Sequence, residues 1–111
     1  MSNAVKYFEN LQVIISRIMS EQLENVEKAA RAVADTLKNG GRIHTFGTGH
    51  SHMLAEELFY RAGGLVRVYP ILDDPLMLHI NASRSSRIER LSGYASTLLE
   101  DGPKIQPADA Q

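Results

Sequence analysis

"GRIHTFGTGHSHMLAEELFYRAGG", residues 41–64, decides the reading of this chain. Arg42–Phe46 is a short, mostly apolar run that predicts a strand. Gly47-Thr48-Gly49-His50-Ser51-His52 follows, with two glycines, two hydroxyls and two histidines. Leu54, Ala55, Leu58, Phe59 and Ala62 then share one helical face, while Glu56, Glu57, Tyr60 and Arg61 lie on others. Gly63-Gly64 stops this helix, and Leu65–Tyr69 predicts a second strand closed by Pro70. Strand, glycine loop, helix and strand make a βαβ unit, hence a parallel pair with a right-handed crossover.

The loop lies between a strand's carboxyl end and a helix's amino end, where open α/β sheets bind ligands. Backbone N–H groups and the positive helix end favour an anion there. Gly47 and Gly49 allow close backbone approach, and Thr48 and Ser51 add hydroxyl donors. A phosphate is the natural occupant. The plainer alternative is a tight turn with Ser51 as the helix N-cap. A dinucleotide fingerprint needs glycine where His52 stands, and a P-loop needs a lysine that does not follow, so a nucleotide is not expected.

His50 and His52, with Glu56 one helical turn beyond, carry the spacing of metal ligands. The sequence offers no second cluster beyond the distant His44, His79, Asp73 and Asp74, so neither a metal nor another cofactor is expected. The histidines read instead as partners of a bound anion or as loop packing. Glu57 and Arg61, spaced i, i+4, suit a surface ion pair. The functional alternative has Glu56 or Glu57 facing the ligand as a general base, the role carboxylates play in enediol chemistry on sugars.

Outward from this unit, residues 5–38 predict helix. Phe8, Leu11, Ile15, Met19, Leu23, Val26, Ala30, Val33 and Leu37 step by three and four in one apolar stripe. One long helix fits, and so do two joined near Met19–Glu21 with Ser20 as an N-cap. Asn39-Gly40-Gly41 is a strong stop. Beyond the second strand, residues 71–84 read as irregular, with Asp73-Asp74-Pro75 as turn chemistry. Ser86 and Glu89 form a capping-box pattern opening a last helix through Ile88, Leu91, Ala95 and Leu98, which Gly102-Pro103 breaks.

The 111 residues suit one small domain, yet supply only two strands where an α/β fold of this length holds four or five. The chain therefore reads as the first half of something larger. A net charge of −1 argues against a nucleic-acid partner, which demands a basic surface. No apolar run approaches the ~20 residues of a membrane span. The absence of cysteine and of a signal-peptide pattern points to the cytoplasm.

"NGGRIHTFGTGHSHMLAEELFYRAGGL" resembles the opening of a SIS (sugar isomerase) domain. "KYFENLQ" near the start and "IERLSGYASTLLE" near the end resemble the SIS-domain proteins grouped with phosphoheptose isomerase, so the similarity covers most of residues 5–100. The resemblance implies a flavodoxin-like α/β/α sandwich of five parallel strands, of which this chain holds part. Residues 1–39 would form an N-terminal helical segment that builds a homodimer or higher oligomer. Residues 40–111 would be the N-terminal part of the α/β domain, ending before the second phosphate loop. Gly47, Thr48, Gly49, His50, Ser51 and His52 would then cradle the phosphate of a phosphorylated sugar, with Glu57 and His50 as catalytic candidates. The implied reaction is aldose–ketose phosphate isomerisation through an enediol. The alternatives are a phosphosugar ether lyase and a non-catalytic sensing or dimerisation module.

Overall fold

In the computed structural model, which describes residues 1–110, the elements run α1 (Asn3–Lys38), β1 (Ile43–Phe46), α2 (Ser51–Glu57), β2 (Val68–Ile71), α3 (Leu78–Ile88) and α4 (Tyr94–Asp101). The chain divides into two compact units, Met1–Ala34 and the remainder from Asp35.

The first unit is helix alone. The apolar stripe forms one unbroken helix and no second helix starts near Ser20, whose hydroxyl instead donates to the Arg17 carbonyl at 3.2 Å. Nothing along it is buried, and Phe8, Ile15, Met19, Leu23 and Val26 are all exposed. The pairs Arg17–Glu21, Glu24–Lys28 and Glu27–Arg31 bridge successive turns at i, i+4.

The second unit is a small α/β domain. After Lys38, Gly40 takes a left-handed φ of 77°, and the Arg67 guanidinium donates to the Gly40 carbonyl, tying this turn to the start of β2. A side chain at Gly41 would collide with the Ala108 backbone and with Thr36, so glycine is required there. β1 and β2 pair in parallel with Ile43 opposite Val68 and Phe46 opposite Ile71. β2 begins three residues later than the expected Leu65–Tyr69 and ends two residues later, and Leu65 and Val66 are exposed. It includes Pro70 rather than ending before it. Ile43 N–H donates to the Arg67 carbonyl at 2.8 Å, so alternation turns residues 67, 69 and 71 toward β1 and Pro70 away from it. Its missing N–H therefore costs the ladder nothing.

On the other edge of β1, Ala110 forms a parallel bridge with Ile43: His44 N–H donates to Ala110 and Ala110 N–H to Arg42, at 2.8 and 2.9 Å. Alternation along β1 sorts the layers. Ile43 and Thr45 face α2, and the Thr45 hydroxyl donates to the Ala55 carbonyl at 3.0 Å. His44 and Phe46 face the opposite way. There, with Ile71 and with Ala95, Leu98 and Leu99 of α4, they enclose a cavity of about 250 Å³. Helix, sheet and helix thus form an α/β/α arrangement. The core is small: Ile43, Ala55, Val68, Ile71, Leu76 and Met77.

Three helical expectations change. α2 ends at Glu57, and of the expected face Leu54–Ala55–Leu58–Phe59–Ala62 only Ala55 is buried, joined by His52. The Thr45–Ala55 bond and the bond between His52 Nδ1 and the Gly49 carbonyl set this roll, leaving Leu54 74% exposed. The stretch read as irregular holds a 3-10 turn at Asp74–Leu76 and then α3, kinked at Asn81. Asn81 leaves the helical region and its side-chain oxygen accepts Arg84 N–H at 2.9 Å, restarting the helix from within. Ser86 and Glu89 form no capping box: Glu89 is the C-cap of α3, and α4 begins separately after Gly93 in the left-handed region.

Candidate functional site

The loop after β1 is built by its two glycines. A Cβ on Gly47 would run into the backbone of Ser51 and His52, so the chain folds back on itself only with glycine there. Gly49 has a φ of 55°, the left-handed conformation that favours glycine. The Thr48 carbonyl accepts Ser51 N–H at 3.0 Å and the His50 carbonyl accepts Met53 N–H at 3.1 Å. Gly49 N–H reaches across to the Leu76 carbonyl at 3.3 Å, docking the loop on the 3-10 turn. Among the described residues, the N–H groups of Thr48 and His50 donate to no backbone carbonyl. Ser51 and His50 are exposed beside them.

The two loop histidines differ in kind. His52 is buried, with Nδ1 against the Gly49 carbonyl and its ring 6.2 Å from that of His79. Its Nε2 lies 3.8 Å from a Glu56 carboxylate oxygen. His52 braces the loop from below, while His50 stands at the surface. Among the described residues, no three histidine, aspartate or glutamate side chains cluster as a metal site. Glu57 forms an ion pair with Arg61, with both side chains largely in solvent.

One residue of the site escapes the sequence reading. Thr48 Oγ1 donates to Glu89 Oε2 at 2.8 Å, a bond between residues 41 apart in the chain. The Ser86-x-x-Glu89 pattern had accounted for Glu89 as a cap, so nothing local marked it as a neighbour of the loop. Behind the loop, the Tyr94 hydroxyl donates to Asp73. That bond, with burial and the Asp73 charge, raises the phenol above its ordinary value.

A glycine loop of this kind, following the first strand of a parallel α/β unit, matches a known family. The sequence profile of the SIS domain fits residues 6–110. The chain belongs to the SIS domain family. A UPF0309 protein of Halalkalibacterium halodurans is 48% identical over 95 residues, 86% of this chain and 38% of the relative. UPF0309 proteins of Geobacillus thermodenitrificans and Listeria monocytogenes are each 46% identical over 86% of the chain, again 38% of their own length. The chain thus spans about two fifths of the curated relatives it matches. As a SIS-domain chain it has the mixed α/β fold with a parallel sheet that the resemblance implies. Among the described residues, no helix is long and apolar enough to cross a membrane.

Proposed function

We propose that this SIS-domain chain binds the phosphate of a phosphorylated sugar at Gly47, Thr48, Gly49, His50, Ser51 and His52. The observation that carries the reading is the loop itself. Two open N–H groups, at Thr48 and His50, lie beside the exposed Ser51 hydroxyl at the carboxyl end of a parallel strand. Unpaired backbone N–H groups in turns of this kind are recognition elements for oxyanions. His52 fixes the Gly49 carbonyl and so the shape of the cradle. His50 is exposed at its rim, which supports assigning it to ligand contact.

In the complete domain the reaction is aldose–ketose phosphate isomerisation. Glu57 removes the proton from the carbon beside the carbonyl, an enediolate forms, and the proton returns to the neighbouring carbon. His50 carries the hydroxyl proton from one enediolate oxygen to the other, so that the old carbonyl oxygen ends as a hydroxyl and the neighbouring hydroxyl as the new carbonyl. The Glu57–Arg61 ion pair favours a second reading, because it gives the carboxylate a partner other than substrate. In that reading the domain senses a sugar phosphate without turning it over. Both readings place the protein in the cytoplasm as a homodimer or higher oligomer joined through residues 1–39.

The test is titration with fructose 6-phosphate, followed through the loop amide resonances. The Thr48 and His50 signals should shift saturably. Ser51→Ala should weaken binding by about 1.5 kcal/mol or more, the worth of a hydrogen bond to a charged group. Unmoved loop amides would end the phosphosugar assignment.

A further inference from the structure

We propose that Glu89 is the carboxylate that reads the sugar at this site, accepting a ligand hydroxyl while Thr48 turns its own proton to the phosphate. The inference rests on the phosphosugar reading above and assigns a residue that reading does not include.

The starting point is the 2.8 Å bond from Thr48 Oγ1 to Glu89 Oε2. A threonine hydroxyl carries a single proton. Spent on Glu89, it presents only lone pairs to an arriving phosphate oxygen. An oxyanion seated at Thr48 therefore takes the place of the Glu89 carboxylate and leaves two negative groups close together, an unfavourable pairing. An ionised carboxylate accepts hydrogen bonds and donates none, so a donor on the ligand is what restores its partner. A sugar phosphate brings both parts: an oxyanion for Thr48 and the loop amides, and hydroxyls a few ångströms further on for Glu89. Inorganic phosphate brings only the first.

The backbone suits this exchange. Glu89 ends α3 with helical φ and ψ of −61° and −18°, and its N–H is anchored on the Ser85 carbonyl at 3.0 Å. The loop is docked through Gly49 N–H on Leu76, in the 3-10 turn that precedes α3. The backbone on both sides of the Thr48–Glu89 bond is hydrogen-bonded, while the exposed Glu89 side chain is free to change partner. Glu89 acts as a specificity-determining residue: it penalises a bare anion and rewards a phosphate that carries a polyol.

The test compares wild type with Glu89→Gln, using inorganic phosphate and fructose 6-phosphate as probes. The effects should have opposite signs. Loss of the charge should tighten inorganic phosphate about threefold or more. Loss of the charged acceptor should weaken fructose 6-phosphate about tenfold or more. Glu89→Asp, which keeps the charge, should retain the weak phosphate binding of the wild type. If Glu89 merely holds Thr48 in place, Glu89→Gln moves both ligands in the same direction, and the proposal falls. Unchanged affinities also overturn it, with the phosphosugar reading intact. If the wild type binds neither probe, that reading fails and takes this inference with it.

Discussion

His44 Nε2 stands 3.0 Å from Asp109 Oδ2, with the two side chains almost completely buried. The same carboxylate accepts Arg42 N–H at 2.8 Å and Gln106 N–H at 2.9 Å. Asp109 therefore clamps the last described segment against the start of β1, next to the Ile43–Ala110 bridge. With the carboxylate ionised, Nε2 carries the imidazole proton, and the buried Nδ1 finds no partner among the described residues.

That clamp has an acid signature. The Gln106 N–H, then His44 and the Arg42 N–H, hold the Asp109 carboxyl down at about 2, against the upward push of burial. A carboxyl lowered by folding stabilises the native state fully above its unfolded value, about 4. The contribution is lost as pH falls through the folded value near 2. The urea midpoint of the wild type should therefore drop between those two values, and Asp109→Asn should flatten the drop. The same substitution should speed hydrogen exchange at His44 N–H, which donates to Ala110. An unchanged acid profile in Asp109→Asn would remove Asp109 as its cause.

The two loop glycines should respond differently to alanine. At Gly47 the new methyl meets backbone, which cannot move aside without unmaking the first turn of α2. At Gly49 the space is open and only the positive φ resists. Gly49→Ala should cost roughly 1–2 kcal/mol, the strain of a left-handed residue. Gly47→Ala should cost about 3 kcal/mol or exceed it, the upper range of overpacking. Gly47→Ala should also abolish phosphosugar binding. Paired chemical denaturation curves measure the difference, and equal costs would contradict the geometry.

How far these features were legible depends on how local their causes are. The stripe from Phe8 to Leu37 and the Gly47–Gly49 punctuation declare α1, β1 and the loop, because period and backbone freedom are properties of neighbouring residues. The start of β2 is not such a property. Leu65 and Val66 look like strand, but the ladder with β1 starts only at the Arg67 carbonyl, which accepts Ile43 N–H. α2 shows the same limit: Leu54 and Leu58 belong to the expected apolar face with Ala55, whereas bonds from Thr45 and within the loop turn Ala55 inward with His52 and leave the two leucines exposed. Glu89 was hidden for the strongest reason. Its partner is 41 residues away, and its own surroundings offered a sufficient local explanation.

Glu57 offers a clean division between enzyme and sensor. Glu57→Gln keeps the size of the side chain and removes its basicity. In the complete domain, turnover should collapse while fructose 6-phosphate binding changes little, the pattern of a group that acts only in the transition state. As half of an exposed ion pair with Arg61, Glu57 contributes at most about 0.5 kcal/mol, so stability should barely move. Steady-state rates and binding constants on one preparation decide the matter. Full turnover in Glu57→Gln would leave the ion pair as the whole account of this residue.

The unit Met1–Ala34 has no buried residue, yet Phe8, Ile15, Met19, Leu23 and Val26 lie along one stripe of it. Burying each such side chain stabilises by ~1.5–3 kcal/mol, so five of them hold ~7–15 kcal/mol, the scale of a whole domain's stability. A second copy presents the same stripe, and a symmetric pairing of identical surfaces is the commonest way to cover one. The ion pairs that bridge successive turns lie on the side of the helix away from the stripe, so the opposite face stays polar. The chain should therefore sediment as a dimer or larger assembly at micromolar concentration. Ile15→Glu combined with Leu23→Glu should shift it to monomer, while substitution of the exposed Lys28 by glutamine should not. Circular dichroism of the double variant adds a second reading, because an unpartnered amphipathic helix is only marginally stable in water and should lose helical signal together with the assembly. A wild-type chain that sediments as a compact monomer would show that the stripe is covered in some other way.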